Sequence, residues 1–199
     1  MSRKQLPEIN AGSMADIAFL LLIFFLVTTT LQVDAGIARK IPKQQETPPI
    51  NLNERNILEV NLNKNNELFV DGKIIKLSEL KQIAINFIDN GGGLDINKKT
   101  CDWCEGKQDK TSSDHPSKAI ISIQTDRLTN YETYISTLDV INSAYTHLRN
   151  TLSVKLYHQN YESLLDELNL SNNNNLEVQE KIKLIREKYP LLLSDAEIN

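Results

Sequence analysis

The chain has 199 residues, of which 24% are charged, and a formal net charge of −4 at neutral pH. This length allows one modest domain with attachments, and the charge balance argues against nucleic-acid binding, which requires a concentrated basic face. The sequence shows no Ser/His/Asp set, phosphate-binding glycine loop or acid pair, so we predict neither an enzyme nor a cofactor.

Nearly all of the contiguous apolar character lies at the start of the chain. Residues 14–33 form a run of about 20 residues, which as an α-helix matches a hydrocarbon core about 30 Å thick. The strictly apolar part, residues 17–27, is shorter, and three threonines extend it because their hydroxyls can bond back to helix carbonyls. We therefore predict a membrane anchor over residues 14–33. The alternative is a cleaved signal peptide, with Arg3 and Lys4 as its basic region.

Asp16 is the one ionisable residue in this run. A carboxylate in hydrocarbon costs about 2.5–3.5 kcal/mol at the middle of a helix, and less near an end. In one interpretation Asp16 lies at the headgroup level and caps the helix. In the other it takes up and releases a proton, with about 2.3 kcal/mol available per proton for each 100 mV of membrane potential. The basic residues on both sides of the run do not fix its orientation.

The stretch from Ile9 to Val27, I-N-A-G-S-M-A-D-I-A-F-L-L-L-I-F-F-L-V, resembles the membrane helix of the ExbD/TolR family. Similarity continues in G-I-A-R-K-I-P at residues 36–42 and in the strand-like segments 68–73 and 121–126. It covers about residues 3–150 and is strongest in the membrane helix. The family often has a proline shortly before its aspartate, where this chain has Ser-Met-Ala, so the depth of the aspartate is not fixed.

The resemblance implies that Asp16 is a proton relay, and it makes Thr28, Thr29 and Thr30 candidates for hydroxyls that face a pore. It implies a bacterial inner-membrane protein with a cytoplasmic N-terminus and a periplasmic domain. The implied partners are an ExbB/TolQ-like polytopic membrane protein, a TonB-like protein that spans the periplasm, and a second copy of the chain.

The function that the resemblance implies is a motor subunit, coupled to the proton-motive force, that energises TonB-dependent transport across the outer membrane. One alternative is a TolR-like role in envelope integrity. Another, from a different class, is a membrane-anchored periplasmic binding module without proton coupling.

The predicted fold is a single N-terminal transmembrane helix plus a small α/β periplasmic domain with a mixed sheet and a helical C-terminal extension. Paired prolines and polar neighbours favour an extended connector between helix and domain. The predicted divisions are a cytoplasmic tail (1–13), the transmembrane helix (14–33), a linker (34–55), the α/β domain (56–150) with a loop insertion (91–118), and the helical extension (151–199).

The α/β domain is predicted to have the element order β-β-β-α-β-α. Its strands are indicated by alternation of apolar and polar residues. Asp71 and Gly72 predict a hairpin turn, because glycine accepts the positive φ that a type I′ turn requires. The predicted strands are at residues 57–62, 68–70, 74–75 and 119–125.

Both predicted helices of this domain carry their apolar residues on one face, which we interpret as core and not as a ligand site. Ser78 is the predicted cap of the first helix, and residues 129–132 form a predicted capping box, Thr-Asn-Tyr-Glu, for the second. The buried stripes are predicted to be Leu80, Ile83, Ala84, Phe87 and Ile88 in the first helix, and Tyr134, Leu138, Ile141, Tyr145 and Leu148 in the second.

The segment after residue 150 leaves two alternatives. Alternating apolar residues at 152–156 fit either a closing strand or a continuation of the second helix, and we favour the helix. A polar linker at residues 172–175 precedes a short amphipathic helix that ends at Pro190. This tail could pack on its own domain, on a dimer partner or on another protein.

The polar insertion at residues 91–118 contains Cys101, Cys104 and His115. A zinc site usually needs four ligands, so these three are weak candidates. A thioredoxin-like redox site would place the cysteines at a helix N-terminus after a strand, whereas their surroundings are loop-like. We predict a local disulfide or two unreactive thiols in an oxidising periplasm, and no metal site.

Overall fold

The computed structural model describes residues 11–28, 53–171 and 174–198. The chain divides into two compact units, Met1–Pro48 and Pro49–Asn199, each of which is described by itself. Several predicted segments lie outside the described residues. They are most of the cytoplasmic tail, the end of the membrane anchor from residue 29 onwards, and the linker up to residue 52.

The described part of the first unit is a single helix, α1 (Ala11–Thr28). Leucine and alanine favour the helix, and no proline interrupts it. Its large apolar side chains are exposed around the whole circumference; they are Met14, Ile17, Phe19, Leu20, Leu21, Leu22, Ile23, Phe24 and Phe25. Among the helices that the structure describes, none is both long enough and apolar enough to cross a membrane.

The second unit is built on a five-stranded mixed sheet. Its strands are β1 (Ile57–Leu62), β2 (Leu68–Val70), β3 (Lys73–Ile75), β4 (Ile120–Asp126) and β5 (Leu193–Ile198), in the spatial order β3-β2-β1-β4-β5. The first three strands are antiparallel, whereas β4 runs parallel to both β1 and β5. The predicted small α/β domain with a mixed sheet is therefore confirmed. A 3-10 turn (Glu54–Asn56) precedes β1.

The alternating pattern of β1 places Leu58, Val60 and Leu62 in the core, where all three are buried. In the parallel ladder, Val60 pairs with Ile123 of β4, so the central two strands bury β-branched side chains side by side. At the β2–β3 hairpin, Asp71 and Gly72 both have positive φ, +48° and +77°. The predicted type I′ turn is thus confirmed.

Two helices, α2 (Leu77–Ile88) and α3 (Tyr131–Tyr157), cover the sheet. The predicted stripes are buried, apart from Ile83 and Tyr134, which are half-buried and pack against the same core. The core therefore lies between the sheet and these two helices. Since α3 continues through residue 157, the helical alternative for residues 152–156 is the observed one.

The predicted helix caps are wrong in both cases. The carboxylate of Glu79 accepts a hydrogen bond from the backbone N–H of Lys76 (2.9 Å), so α2 begins at Leu77 without a cap from Ser78. In α3 the side chain of Asn130 caps the helix by accepting from the N–H of Glu132 (3.0 Å). Thr129 instead donates to a carbonyl at the end of β1, because the chain must pass close to that strand before the helix begins.

The C-terminal segment contains α4 (Tyr161–Leu170), α5 (Leu176–Lys188) and then β5. The two helices enclose a second small core of Tyr161, Leu164, Val178, Ile182 and Ile185. The prediction of a wholly helical extension is therefore wrong for residues 193–198. The sequence L-S-D-A-E-I lacks the alternation that marks a half-buried strand, and pairing with β4 supplies the structure that the local sequence does not specify.

The tail packs on its own domain. Tyr189 is buried in the main core, and the guanidinium of Arg149 donates two hydrogen bonds to the Tyr189 carbonyl, at 3.1 and 2.7 Å. The same guanidinium lies over the rings of Tyr145 and Tyr161, at 5.6 and 5.9 Å from their centroids. Arg149 thereby joins the sheet core, the α4–α5 pair and the segment that leads into β5.

Candidate functional site

Asp16 lies in the second turn of α1, where its side chain is exposed. It is the one ionisable residue of the helix, and its neighbours on the same face, Phe19 and Leu20, are apolar and exposed. A carboxylate in such surroundings has no nearby group of the same helix to neutralise it. A carboxyl among apolar side chains is stabilised by contact with water or with a polar partner from another chain.

The three threonines lie far from Asp16 along the sequence. Thr28 is the last residue of α1, and Thr29 and Thr30 lie outside the described residues. From Asp16 to Thr28 the helix advances by about 18 Å and turns by about 120° beyond whole turns. Within α1, therefore, Asp16 and Thr28 lie more than three helical turns apart along the axis.

The insertion at residues 91–118 is held to the end of α2 by a dense set of hydrogen bonds. The side-chain amide of Asn90 donates to the carbonyls of Asp109 and Ser113, at 2.8 and 2.6 Å, and accepts from the N–H of Asp109 at 2.9 Å. Farther along, the buried carboxylate of Asp114 forms an ion pair with Arg55 and accepts from the Asn56 amide at 3.0 Å. Side-chain hydrogen bonds thus satisfy buried polar groups that would be paired through the backbone in a helix or strand.

Cys101 and Cys104 are joined by a disulfide within this loop, with their Cα atoms 5.5 Å apart. The disulfide packs closely against Gly91, where an added Cβ would lie 3.0 Å from the Cβ of Cys104. Cys101 is buried and Cys104 is partly exposed.

His115 does not join the cysteines in a metal site. Its Nδ1 accepts from the backbone N–H of Ser117 at 3.1 Å and also contacts the hydroxyl of that residue at 2.8 Å. Burial lowers the pKa of His115, which favours the neutral ring. Over residues 11–28, 53–171 and 174–198 no group of three or more His, Cys, Asp or Glu side chains is placed to hold a metal ion.

Trp103, between the two cysteines, is the centre of a cluster that connects the insertion to the C-terminal segment. The ammonium of Lys188 lies 3.4 Å from the Trp103 ring centroid, and its Nζ is 3.9 Å from a carboxylate oxygen of Asp102. On another side, the His115 ring meets Trp103 edge-on with centroids 5.2 Å apart.

A buried carboxyl, Asp89, lies at the base of this cluster. It accepts from the Tyr189 hydroxyl at 2.6 Å and from the backbone N–H of Glu105 at 3.0 Å. Burial raises the pKa of Asp89, and it also raises the pKa of Tyr189, where the bond to Asp89 acts in the same direction. Beside the pair is a pocket of about 210 Å³, with walls that include Ile85, Leu148 and Lys155.

Comparison with known proteins identifies the family. The model of the family described as biopolymer transport protein ExbD/TolR matches residues 2–152. The chain belongs to the ExbD/TolR family. No curated protein matches the chain.

The resemblance seen in the sequence is therefore confirmed. Members of the ExbD/TolR family are inner-membrane subunits for biopolymer transport, with a periplasmic domain, and they generally work with ExbB/TolQ-like partners. The matched region includes α1 and the domain as far as most of α3, whereas α4, α5 and β5 lie beyond it.

The cluster around Trp103 was not predicted from the sequence. Its members, Asp89, Glu105, Lys188 and Tyr189, lie up to 100 positions apart, so no local pattern joins them. One signal was present: Trp103 is the single tryptophan of the chain, and it stands between the only two cysteines in a polar loop.

Proposed function

We propose that this ExbD/TolR family member is the proton-coupled subunit of a membrane motor. In this proposal α1 lies in the inner membrane beside an ExbB/TolQ-like protein, and Asp16 is the proton relay. The observation that carries the proposal is the single carboxyl in an otherwise uncharged, largely apolar helix that lies inside the family match.

The exposed apolar surface of α1 supports a membrane position. A helix that is hydrophobic on all sides must be covered by lipid or by other helices, because otherwise water would contact apolar side chains on every face. The predicted anchor continues to residue 33, beyond the described end of the helix. With that continuation the apolar run matches the thickness of a bilayer core.

The position of Asp16 supports proton coupling. A carboxylate is costly among apolar side chains, so a change in its surroundings shifts the balance between its protonated and charged forms. A partner could connect Asp16 by a polar path first to one side of the membrane and then to the other. Uptake of a proton from the first side and its release to the second would then be coupled to a change in the position of the helix. The energy available is about 2.3 kcal/mol per proton for each 100 mV.

In the proposal, motion of α1 reaches the periplasmic domain through residues 29–52 and is passed on to a TonB-like protein. Energised transport through the outer membrane would be the outcome. The family match is shared by ExbD and TolR proteins, so the choice between uptake and envelope integrity depends on the partner.

An uptake assay with paired variants tests the proposal. Asp16→Asn removes the ionisable group with little change in size, and Asp139→Asn makes the same change at an exposed position of α3. We expect Asp16→Asn to co-purify with the ExbB/TolQ-like partner but to lose uptake that depends on the proton-motive force, whereas Asp139→Asn retains it. Full uptake together with normal detergent resistance in the Asp16→Asn strain would rule out the relay.

The same strains distinguish the two transport roles. If the subunit is ExbD-like, the Asp16→Asn strain loses uptake of outer-membrane transporter substrates and keeps its resistance to detergents. If it is TolR-like, the strain becomes detergent-sensitive and leaks periplasmic proteins while uptake continues.

A further inference from the structure

The disulfide between Cys101 and Cys104 encloses only Asp102 and Trp103. A cross-link over so few residues removes less freedom from the unfolded chain than one that closes a longer loop, so it contributes less to stability by that route. What it does fix is the local path of the loop. That path places the Trp103 ring against Lys188, which is 85 positions away in sequence.

The contacts of this loop converge on the segment that leads into β5. Lys188 lies over Trp103, and Tyr189 donates to Asp89, which in turn accepts from the N–H of Glu105. The ammonium of Lys155 also pairs with the Glu105 carboxylate at 3.2 Å. The loop between the cysteines and the end of α5 is therefore one connected set of contacts.

The disulfide is also accessible from outside. Cys104 is partly exposed, and both Asp102 and Glu105 beside it are exposed. Gly91 packs against the cross-link, since a Cβ added there would lie 3.3 Å from the Sγ of Cys104. A reagent can approach from the outer side without unfolding the core, and two residues between cysteines is the spacing found in redox-active dithiols.

We propose that Cys101 and Cys104 form a thiol–disulfide exchange site whose redox state controls how firmly the end of α5 is held. The substrate class is a dithiol reductant, either a protein dithiol or a small molecule. Its thiolate attacks the sulfur of Cys104, a mixed disulfide forms and the Cys101 thiolate leaves. The second thiol of the reductant then releases Cys104, so the reductant is oxidised to its disulfide and the cysteine pair takes up two electrons and two protons.

Reduction frees the Trp103 loop, and Lys188 loses the ring that lies beneath it. The segment from Lys188 to β5 then opens more often, because local stability depends on such contacts. This inference depends on the disulfide and its contacts, and it is independent of the role proposed for Asp16.

Hydrogen exchange on the full-length protein in detergent tests the inference, with dithiothreitol as the reducing probe. Mass spectrometry with thiol alkylation reports the redox state, and circular dichroism reports whether the fold persists. We expect reduction without unfolding, and exchange on the order of tenfold faster in peptides covering residues 101–106 and 186–192. Residues 141–148, in the core of α3, should be unchanged, and reoxidation should restore slow exchange.

Two variants test the route through Trp103. Trp103→Leu keeps the disulfide but removes the aromatic ring, so residues 186–192 should exchange fast in both redox states. Lys183→Met alters an exposed lysine of the same helix and should leave the redox response intact.

Three results would each overturn the inference. The first is a disulfide that resists dithiothreitol until urea unfolds the chain. The second is a folded, reduced protein with unchanged exchange in residues 186–192. The third is a full redox response in Trp103→Leu.

Discussion

At the scale of single residues, the 91–118 insertion owes its shape to buried polar groups and to close backbone contacts. The side chains of Asn90 and Asn56 satisfy backbone acceptors and donors of the loop that a regular helix or strand would pair. Glycines allow two stretches of backbone to approach each other, as at Gly106, whose N–H donates to the carbonyl of Asp89 at 3.2 Å. A loop of this kind is specified by particular residues, so single substitutions should have large effects.

Gly106→Ala should destabilise the domain by about 1–3 kcal/mol, because an added Cβ would overlap the carbonyl oxygen of Asp89 and lie 2.6 Å from the Cα of Asn90. Gly72→Ala is the matched control. That glycine has φ of +77° but no atom within 4 Å of an added Cβ, so the cost is limited to backbone strain of roughly 1 kcal/mol. Urea unfolding of the two variants measures the difference. Equal losses would show that the insertion does not pack closely at Gly106.

His115 should make stability depend on pH. Burial lowers the pKa of His115 below the ordinary 6.5, and Lys118 and Lys188 act in the same direction while Asp95 opposes them. The unfolded chain then binds more protons than the folded one as pH falls below about 6.5. The free energy of unfolding should therefore be highest above that pH and decrease until the lowered folded pKa is passed.

The measurement is urea unfolding at pH 7.5 and at pH 5.0, compared between the wild type and His115→Gln. The wild type should lose more stability on acidification than the variant, which lacks the titrating ring. An identical loss in both proteins would mean that other groups account for the pH dependence.

At the scale of elements, the C-terminal segment completes the sheet. β5 pairs with β4 over the register from Ile121–Leu193 to Asp126–Ile198, and Tyr189 fills part of the core. A fragment of residues 53–150, which ends at the domain boundary predicted from sequence, should therefore fail to fold cooperatively. A fragment of residues 53–199 should fold, because it has the whole sheet and both cores.

A third fragment, residues 53–192, separates the two contributions. It retains Tyr189 but lacks β5, and it should fold with a lower unfolding temperature than the longer fragment. Circular dichroism and thermal unfolding provide the measurement. Cooperative unfolding of residues 53–150 at the temperature of the longer fragment would contradict this account of the C-terminal segment.

The elements predicted correctly from the sequence are those in which apolar residues recur at a regular spacing. The alternation in β1 and the helical stripes of α2 and α3 mark their buried faces directly, and Asp71-Gly72 marks a turn by its backbone requirement. The strand β5 has no such signal, since it depends on a neighbour about 70 residues earlier in the chain. The caps were wrong because several polar residues near each helix start could serve. In α2 the side chain of Glu79 accepts from Lys76 instead, and in α3 Thr129 bonds to the end of β1, so Asn130 is the cap.

The candidate site divides in the same way. Asp16 could be predicted because a carboxyl in an apolar run is energetically costly, so its presence there indicates a function. The cluster around Trp103 could not be predicted. Its members Asp89, Lys188 and Tyr189 are distant from one another or from Trp103 in sequence and meet only in the folded chain. The sequence shows two cysteines in a polar loop, but it does not show which residues that loop contacts.

At the scale of the whole molecule, two compact units are joined by a segment that begins after α1 and ends before the 3-10 turn. The first carries the residue proposed to respond to protons, and the second carries the sheet, both cores and the disulfide loop. In the proposed motor the two must be mechanically connected, since the energy enters at Asp16 and the work is done by the domain.

The measurement that tests the central claim most directly is proton flux through the purified complex with its ExbB/TolQ-like partner in liposomes. A pH-sensitive dye inside the vesicles reports proton entry after a membrane potential is imposed. Wild type and Asp139→Asn should conduct protons at the same rate, whereas Asp16→Asn should fall to the rate of vesicles without protein. Proton flux in Asp16→Asn equal to that of the wild type would contradict the role of Asp16 as the relay.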